Sequence, residues 1–158
     1  MPIDSRVYLD SPTQTSTEAP GKVGEVRSYL DPTYGFQMYR LVKAGAAIAA
    51  NRVVEWQAGI TGAAIEVDSN FVPSVQVAGV AQNAIASGSY GWVCCSGICV
   101  VKTNASVAEL AAAVTKGASG SGEVDDTDFG DVEESIIGYF PSAIGSATTG
   151  AIRLSGLL

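Results

Sequence analysis

From Leu41 onward, apolar and polar positions alternate with a period near two, in short runs broken by Gly, Ser or Asn. Arg52-Val53-Val54-Glu55-Trp56-Gln57, Ala63-Ala64-Ile65-Glu66-Val67 and Ser74-Val75-Gln76-Val77-Ala78-Gly79-Val80-Ala81 are such runs. Period-two patterning bounded by turn formers predicts strands. Tyr90-Gly91-Trp92-Val93-Cys94-Cys95 and Ile98-Cys99-Val100-Val101-Lys102-Thr103 flank Ser96-Gly97, a two-residue break suited to a tight hairpin. Glu134–Phe140 and Gly150–Leu154 read as closing strands. The pattern predicts a mainly β chain, a small antiparallel β-barrel or sandwich. One helix is a candidate, over Ser106–Thr115: Ser106 with Glu109 fits a capping box, the alanines favour helix and Gly117 ends it. The same Ala/Val run also fits loop and strand. No long internal repeat is evident.

Residues 1–40 read differently and are expected to be an extended N-terminal arm, leaving 41–158 as the β-rich domain. Four of the six prolines, Pro2, Pro12, Pro20 and Pro32, lie there beside a Ser/Thr/Gln tract. Prolines exclude a helix, and too few large apolar residues are present to build a core. The second half of the segment carries Tyr29, Tyr34, Phe36 and Tyr39, amphipathic rings of the kind found at protein interfaces. Capping of the domain's own core is the alternative use for them.

A chain of 158 residues suits one domain. Its net charge of −7, and a stretch from Arg52 to Lys102 with no cation between, leave no basic stripe for nucleic-acid phosphates. The lack of histidine removes the commonest general base and metal ligand, and with them any Ser-His or Cys-His pair. Mean hydropathy is positive, +0.24, yet no apolar run approaches the roughly 20 residues of a spanning helix, so no membrane partner is expected. The N-terminus carries no basic and apolar leader, which predicts synthesis in a cytoplasm.

Seven carboxylates fall within Glu123–Glu134, the one place where a hard cation could find several oxygens locally. The calcium-loop register is wrong by one residue, because Gly130 stands fifth from Asp126, so a solvated acidic loop is the expectation. Nothing there predicts the buried carboxylate that glycosidic acid–base work requires. Gly117–Gly122 lacks the lysine of a phosphate-binding loop and reads as a flexible connection. The three cysteines sit together at 94, 95 and 99. A hairpin at Ser96-Gly97 would place Cys94 opposite Cys99 and make a disulfide conceivable, while small buried thiols are the favoured reading in a reducing compartment. No cofactor and no metal are expected.

The segment Gly79-Val80-Ala81-Gln82-Asn83-Ala84-Ile85-Ala86-Ser87-Gly88-Ser89-Tyr90-Gly91-Trp92-Val93, followed by Ser96-Gly97 and Val100-Val101, resembles the capsid decoration, or cement, proteins of tailed bacteriophages. The Pro/Thr-rich N-terminus and Tyr34-Gly35-Phe36-Gln37 add to the likeness. Gly79, Gly88, Tyr90, Gly91, Trp92 and Gly97 are its motif positions. The resemblance implies a non-enzymatic virion protein on the outside of the head, made in the host cytoplasm. It further implies the major capsid protein as partner and a homo-oligomer, most simply a trimer. Tyr29, Tyr34, Phe36 and Tyr39 then become candidates for contact with the shell or with a neighbouring copy.

Two other classes compete. A phage adhesin or carbohydrate-binding β domain would use Trp56, Trp92 and the tyrosines as sugar platforms, which requires Trp92 to be exposed. An enzyme built on the acidic loop would need calcium affinity or two carboxylates converging in a cleft.

Overall fold

The computed structural model describes residues 9–57, 63–67, 77–115, 122–126, 136–145 and 148–155. Eleven strands run through them: β1 (Thr15–Ser16), β2 (Val26–Asp31), β3 (Gly35–Ala44), β4 (Val53–Trp56), β5 (Ala63–Glu66), β6 (Val77–Ala81), β7 (Tyr90–Lys102), β8 (Ala112–Thr115), β9 (Val124–Asp126), β10 (Ile136–Tyr139) and β11 (Thr149–Leu154). The mainly β expectation holds, with the qualification that the sheet is mixed, since β3 and β5 pair in parallel.

Five of these strands close on themselves in the order β3-β5-β4-β6-β7, because β7 also pairs with β3. Val42, Ala44, Ile48, Val54, Ala64, Ala78, Ala81, Ile85 and Val93 fill the inside of this ring. Small residues dominate there, as a narrow five-strand ring demands of its interior.

The same five-strand arrangement then occurs a second time. The far half of β7 pairs with β11, β11 with β10, β10 with β8 and β8 with β9, and a parallel bridge from Thr103 to Val124 leads back to the end of β7. Register identifies this as a repeat. Ile48 bridges Ile85, and Val107 bridges Ile144, each pair exchanging two N–H···O bonds; both members differ by 59 in residue number. At that offset the β4–β6 pairs Val53↔Val80, Val54↔Gly79 and Glu55↔Val77 become the β8–β10 pairs Ala112↔Tyr139, Ala113↔Gly138 and Val114↔Ile136, with the bulge in the same place. The β3–β7 pairs from Arg40↔Val93 to Lys43↔Tyr90 likewise become Cys99↔Ile152 to Lys102↔Thr149. A carboxylate is repeated too, one residue out of step: Glu66 accepts the Ala49 N–H and Asp126, 60 residues on, accepts the Ala108 N–H. The chain is therefore an internal tandem repeat, contrary to the expectation from sequence, and β7 serves both halves.

Two local expectations are overturned. Residues 90–102 form one continuous strand, with no hairpin at Ser96-Gly97. Gly97 has φ +99°, and just before it the β3–β7 register shifts between Met38↔Ser96 and Tyr39↔Cys94, so β7 carries a bulge at Cys95. Each half of β7 pairs with distant strands, Cys94 with Tyr39 and Val80, and Cys99 with Ile152. The helix over 106–115 is also absent. Val107 bridges Ile144, Glu109 and Leu110 turn, and Ala112–Thr115 is β8. Alanine is there for its small volume inside the second ring, where packing overrides helix propensity.

The boundary drawn at residue 40 falls inside β3, and Val26–Asp31 pairs with β3 along its whole length. Leu9 is buried and its N–H donates to the Ser28 carbonyl, while β1 pairs with the start of β7. Residues 1–8 lie outside the described residues.

Candidate interaction surface

The β2–β3 hairpin ends in a turn that its own residues stiffen. The Asp31 carboxylate accepts N–H bonds from Thr33 and Tyr34, both 2.8 Å, before Gly35 starts β3. Beside the turn Leu30 pairs with Phe36, and the next pair is Tyr29 with Gln37. Successive pairs face opposite sides, so the two large apolar side chains share one face and Tyr29 and Gln37 share the other. The inward face is anchored. Tyr29 meets the Tyr39 ring edge-on at 6.1 Å, the Tyr39 hydroxyl donates to Gln37 Oε1 at 3.0 Å, and Gln37 Nε2 donates to the Ile98 carbonyl. The outward face is bare: Leu30 is 72% exposed and Phe36 60%. Leu30 and Phe36 thus form a small exposed apolar patch on a pinned turn.

Among the four aromatics expected to meet a partner, Phe36 is exposed and Tyr29 and Tyr34 are half-buried. Tyr39 is buried, and desolvation drives its hydroxyl pKa far upward, so its place is in the core. Leu30 escaped the sequence reading. Its signal was available in the spacing, because a turn at Asp31–Gly35 sets it opposite Phe36.

The motif positions prove architectural. Gly79 sits in the β4–β6 bulge against the Cys94 carbonyl, Gly88 occupies a turn, and Gly91 lies under Ile85. Tyr90 is half-buried with the Lys43 ammonium 5.6 Å from its ring centre. Trp92 is buried at 2% exposure with the Arg27 guanidinium 5.1 Å from its ring. A buried Trp92 removes the sugar platform that the adhesin reading placed there. Trp56 is half-buried against the inside of the first ring.

Cys94, Cys95 and Cys99 are buried free thiols, with no disulfide. Cys94 Sγ donates to the Ser96 carbonyl and Cys95 Sγ to the Met38 carbonyl, both at 3.4 Å. Burial pushes the Cys95 thiol up to about 11 and the Cys99 thiol well above the ordinary range. Neutral thiols of this kind pack and do not react. In the acidic segment, Glu123 pairs with Arg52 at 2.6 Å, Asp126 accepts the Ala108 N–H, and Asp125 Oδ1 accepts the Asp126 N–H. Asp128, Asp131, Glu133 and Glu134 lie outside the described residues. Among the described residues no three His, Cys, Asp or Glu are grouped to hold a metal ion.

No protein-family model and no curated protein matches the chain. Among solved structures it is similar to the head fiber gp8.5 N base of bacteriophage phi29, at TM-score 0.54 and 15% sequence identity, over 75% of this chain and 94% of that one. At that identity the likeness is one of fold.

Proposed function

We propose that this chain is a structural protein of a bacteriophage head, bound to the outer surface of the shell, where it stabilises the lattice of the major capsid protein without any catalytic step. The observation that carries the reading is the fold shared with the base of a phage head fibre. The Gly79–Val93 motif, which resembles decoration proteins, points the same way. The pinned Leu30/Phe36 face supplies a contact suited to a shell, because each copy adds a small apolar area and the many copies of a lattice multiply it. Self-association, as a trimer, accords with the symmetry of such assemblies.

The likeness to a head-fibre base also favours a second reading, in which the chain forms the base of a head fibre or adhesin. The two differ in what is stabilised. Co-sedimentation with heads stripped of accessory proteins, followed by thermal rupture of the heads, tests them. Saturable binding that raises the rupture temperature, and that Leu30→Ser with Phe36→Ser abolishes, supports the cement role. Binding without any change in rupture temperature favours the fibre base. No binding overturns both.

A further inference from the structure

We infer that Asp31 is a positioning residue for the contact with the shell: its carboxylate closes the turn at the tip of the β2–β3 hairpin and so holds Leu30 and Phe36 side by side before a partner arrives. This role rests on the reading of the Leu30/Phe36 patch as the shell contact, and it names what sets the affinity of that patch.

Three residues of different chemistry fix this one turn. Asp31 Oδ1 accepts the N–H groups of both Thr33 and Tyr34, supplying partners that a tight turn cannot offer its own backbone. Pro32 restricts its own φ at the first turn position. Gly35 leaves the turn at φ +78°, with nothing within 4 Å of where a Cβ would stand, so backbone conformation and not packing explains a glycine there.

The body of the hairpin is held by other means. Six register pairs join β2 to residues 35–40 of β3. Tyr29 meets Tyr39, and the buried Gln37 uses both ends of its carboxamide, on the Tyr39 hydroxyl and the Ile98 carbonyl. The Phe36 backbone is seated on Gly97, where a Cβ would stand 2.7 Å from the Phe36 carbonyl oxygen. All of these contacts lie on the backbone or the inward face. Leu30 and Phe36 form the last outward pair before the turn and both are exposed, so the closure of the turn governs how their side chains stand together. An apolar pair that its partner must order loses part of its binding energy to that ordering, whereas a pair ordered in advance does not.

Binding kinetics of the full chain on heads stripped of accessory proteins test this role. Asp31→Ala should slow association and weaken binding roughly tenfold, as expected if the closed turn falls to about a tenth of the population, with the dissociation rate, melting temperature and near-UV circular dichroism little changed. Asp31→Asn, whose side-chain oxygen accepts the same N–H groups, should bind within about twofold of wild type. In a Leu30→Ala background, Asp31→Ala should cost less than it does alone, because part of the contact that it positions is gone. Should Asp31→Ala not fold, Gly35→Ala, which strains the same turn from its far end, is read in its place. A turn variant that binds like wild type, in a series where Leu30→Ser with Phe36→Ser abolishes binding, overturns the inference and leaves the proposed function standing. Equal losses in Asp31→Asn and Asp31→Ala overturn it as well, since the carboxylate would then act on the partner through its charge. If Leu30→Ser with Phe36→Ser binds like wild type, the patch is not the contact and the inference falls with it, while head binding itself survives. A wild type that ignores heads removes the proposed function and this role together.

Discussion

The carboxamide of Gln82 meets both backbone polar groups of Val100. Its Oε1 accepts the Val100 N–H and its Nε2 donates to the Val100 carbonyl, each at 3.0 Å, so one side chain acts as a strand partner between the two repeats. Gln82→Leu would remove two bonds and leave both peptide groups short of partners. The expected loss is about 1–3 kcal/mol, measured by urea unfolding. A variant as stable as wild type would show that water replaces the amide without cost.

Ile85 and Gly91 make the repeat testable from its core. A Cβ on Gly91 would stand 2.5 Å from Ile85 Cδ1, and Gly150 lies against Ile144 in the same way. Gly91→Ala should cost about 1–3 kcal/mol through overpacking. Ile85→Val, which deletes the offending carbon, should recover part of that loss. Gly150→Ala with Ile144→Val should behave alike, and additive costs in either double variant would mean that the clash is relieved elsewhere.

The thiols predict an alkaline limit to stability. Cys95 and Cys99 have raised pKa values in the folded chain because burial disfavours the thiolate. Their contribution is fully present below the unfolded value near 9, and that of Cys95 is lost as pH rises toward about 11, since only the unfolded chain then releases its protons freely. Urea midpoints should fall over that window. Replacing both by alanine should flatten the fall, and a thiol reagent at neutral pH should label the native chain far more slowly than the unfolded one.

Trp92→Ala should destabilise the fold by about 3–5 kcal/mol, the usual cost of deleting a buried aromatic. Leu30→Ser and Phe36→Ser, on the bare face of the hairpin, should leave the melting temperature within a few degrees of wild type while weakening head binding. Calorimetry beside co-sedimentation separates the two effects. A large loss of stability in the hairpin variants would mean that this face is part of the core.

Local rules recovered much of this protein from its sequence. Alternating residues marked β4, β5, β6, β10 and β11, and the burial of the cysteines followed from their chemistry. The rule of two positions per strand repeat needs no distant information, so these features could be read from short windows. The same windows could not separate a turn from a bulge at Ser96-Gly97, or a helix from a strand at Ala111-Ala112-Ala113, because both outcomes use the same residues. Tertiary structure chose between them, through strand partners far along the chain. The repeat escaped for a related reason. What recurs at 59 residues is hydrogen-bond register, while the side chains change, as from Val80 to Tyr139 or from Trp92 to Ala151, and few identities survive.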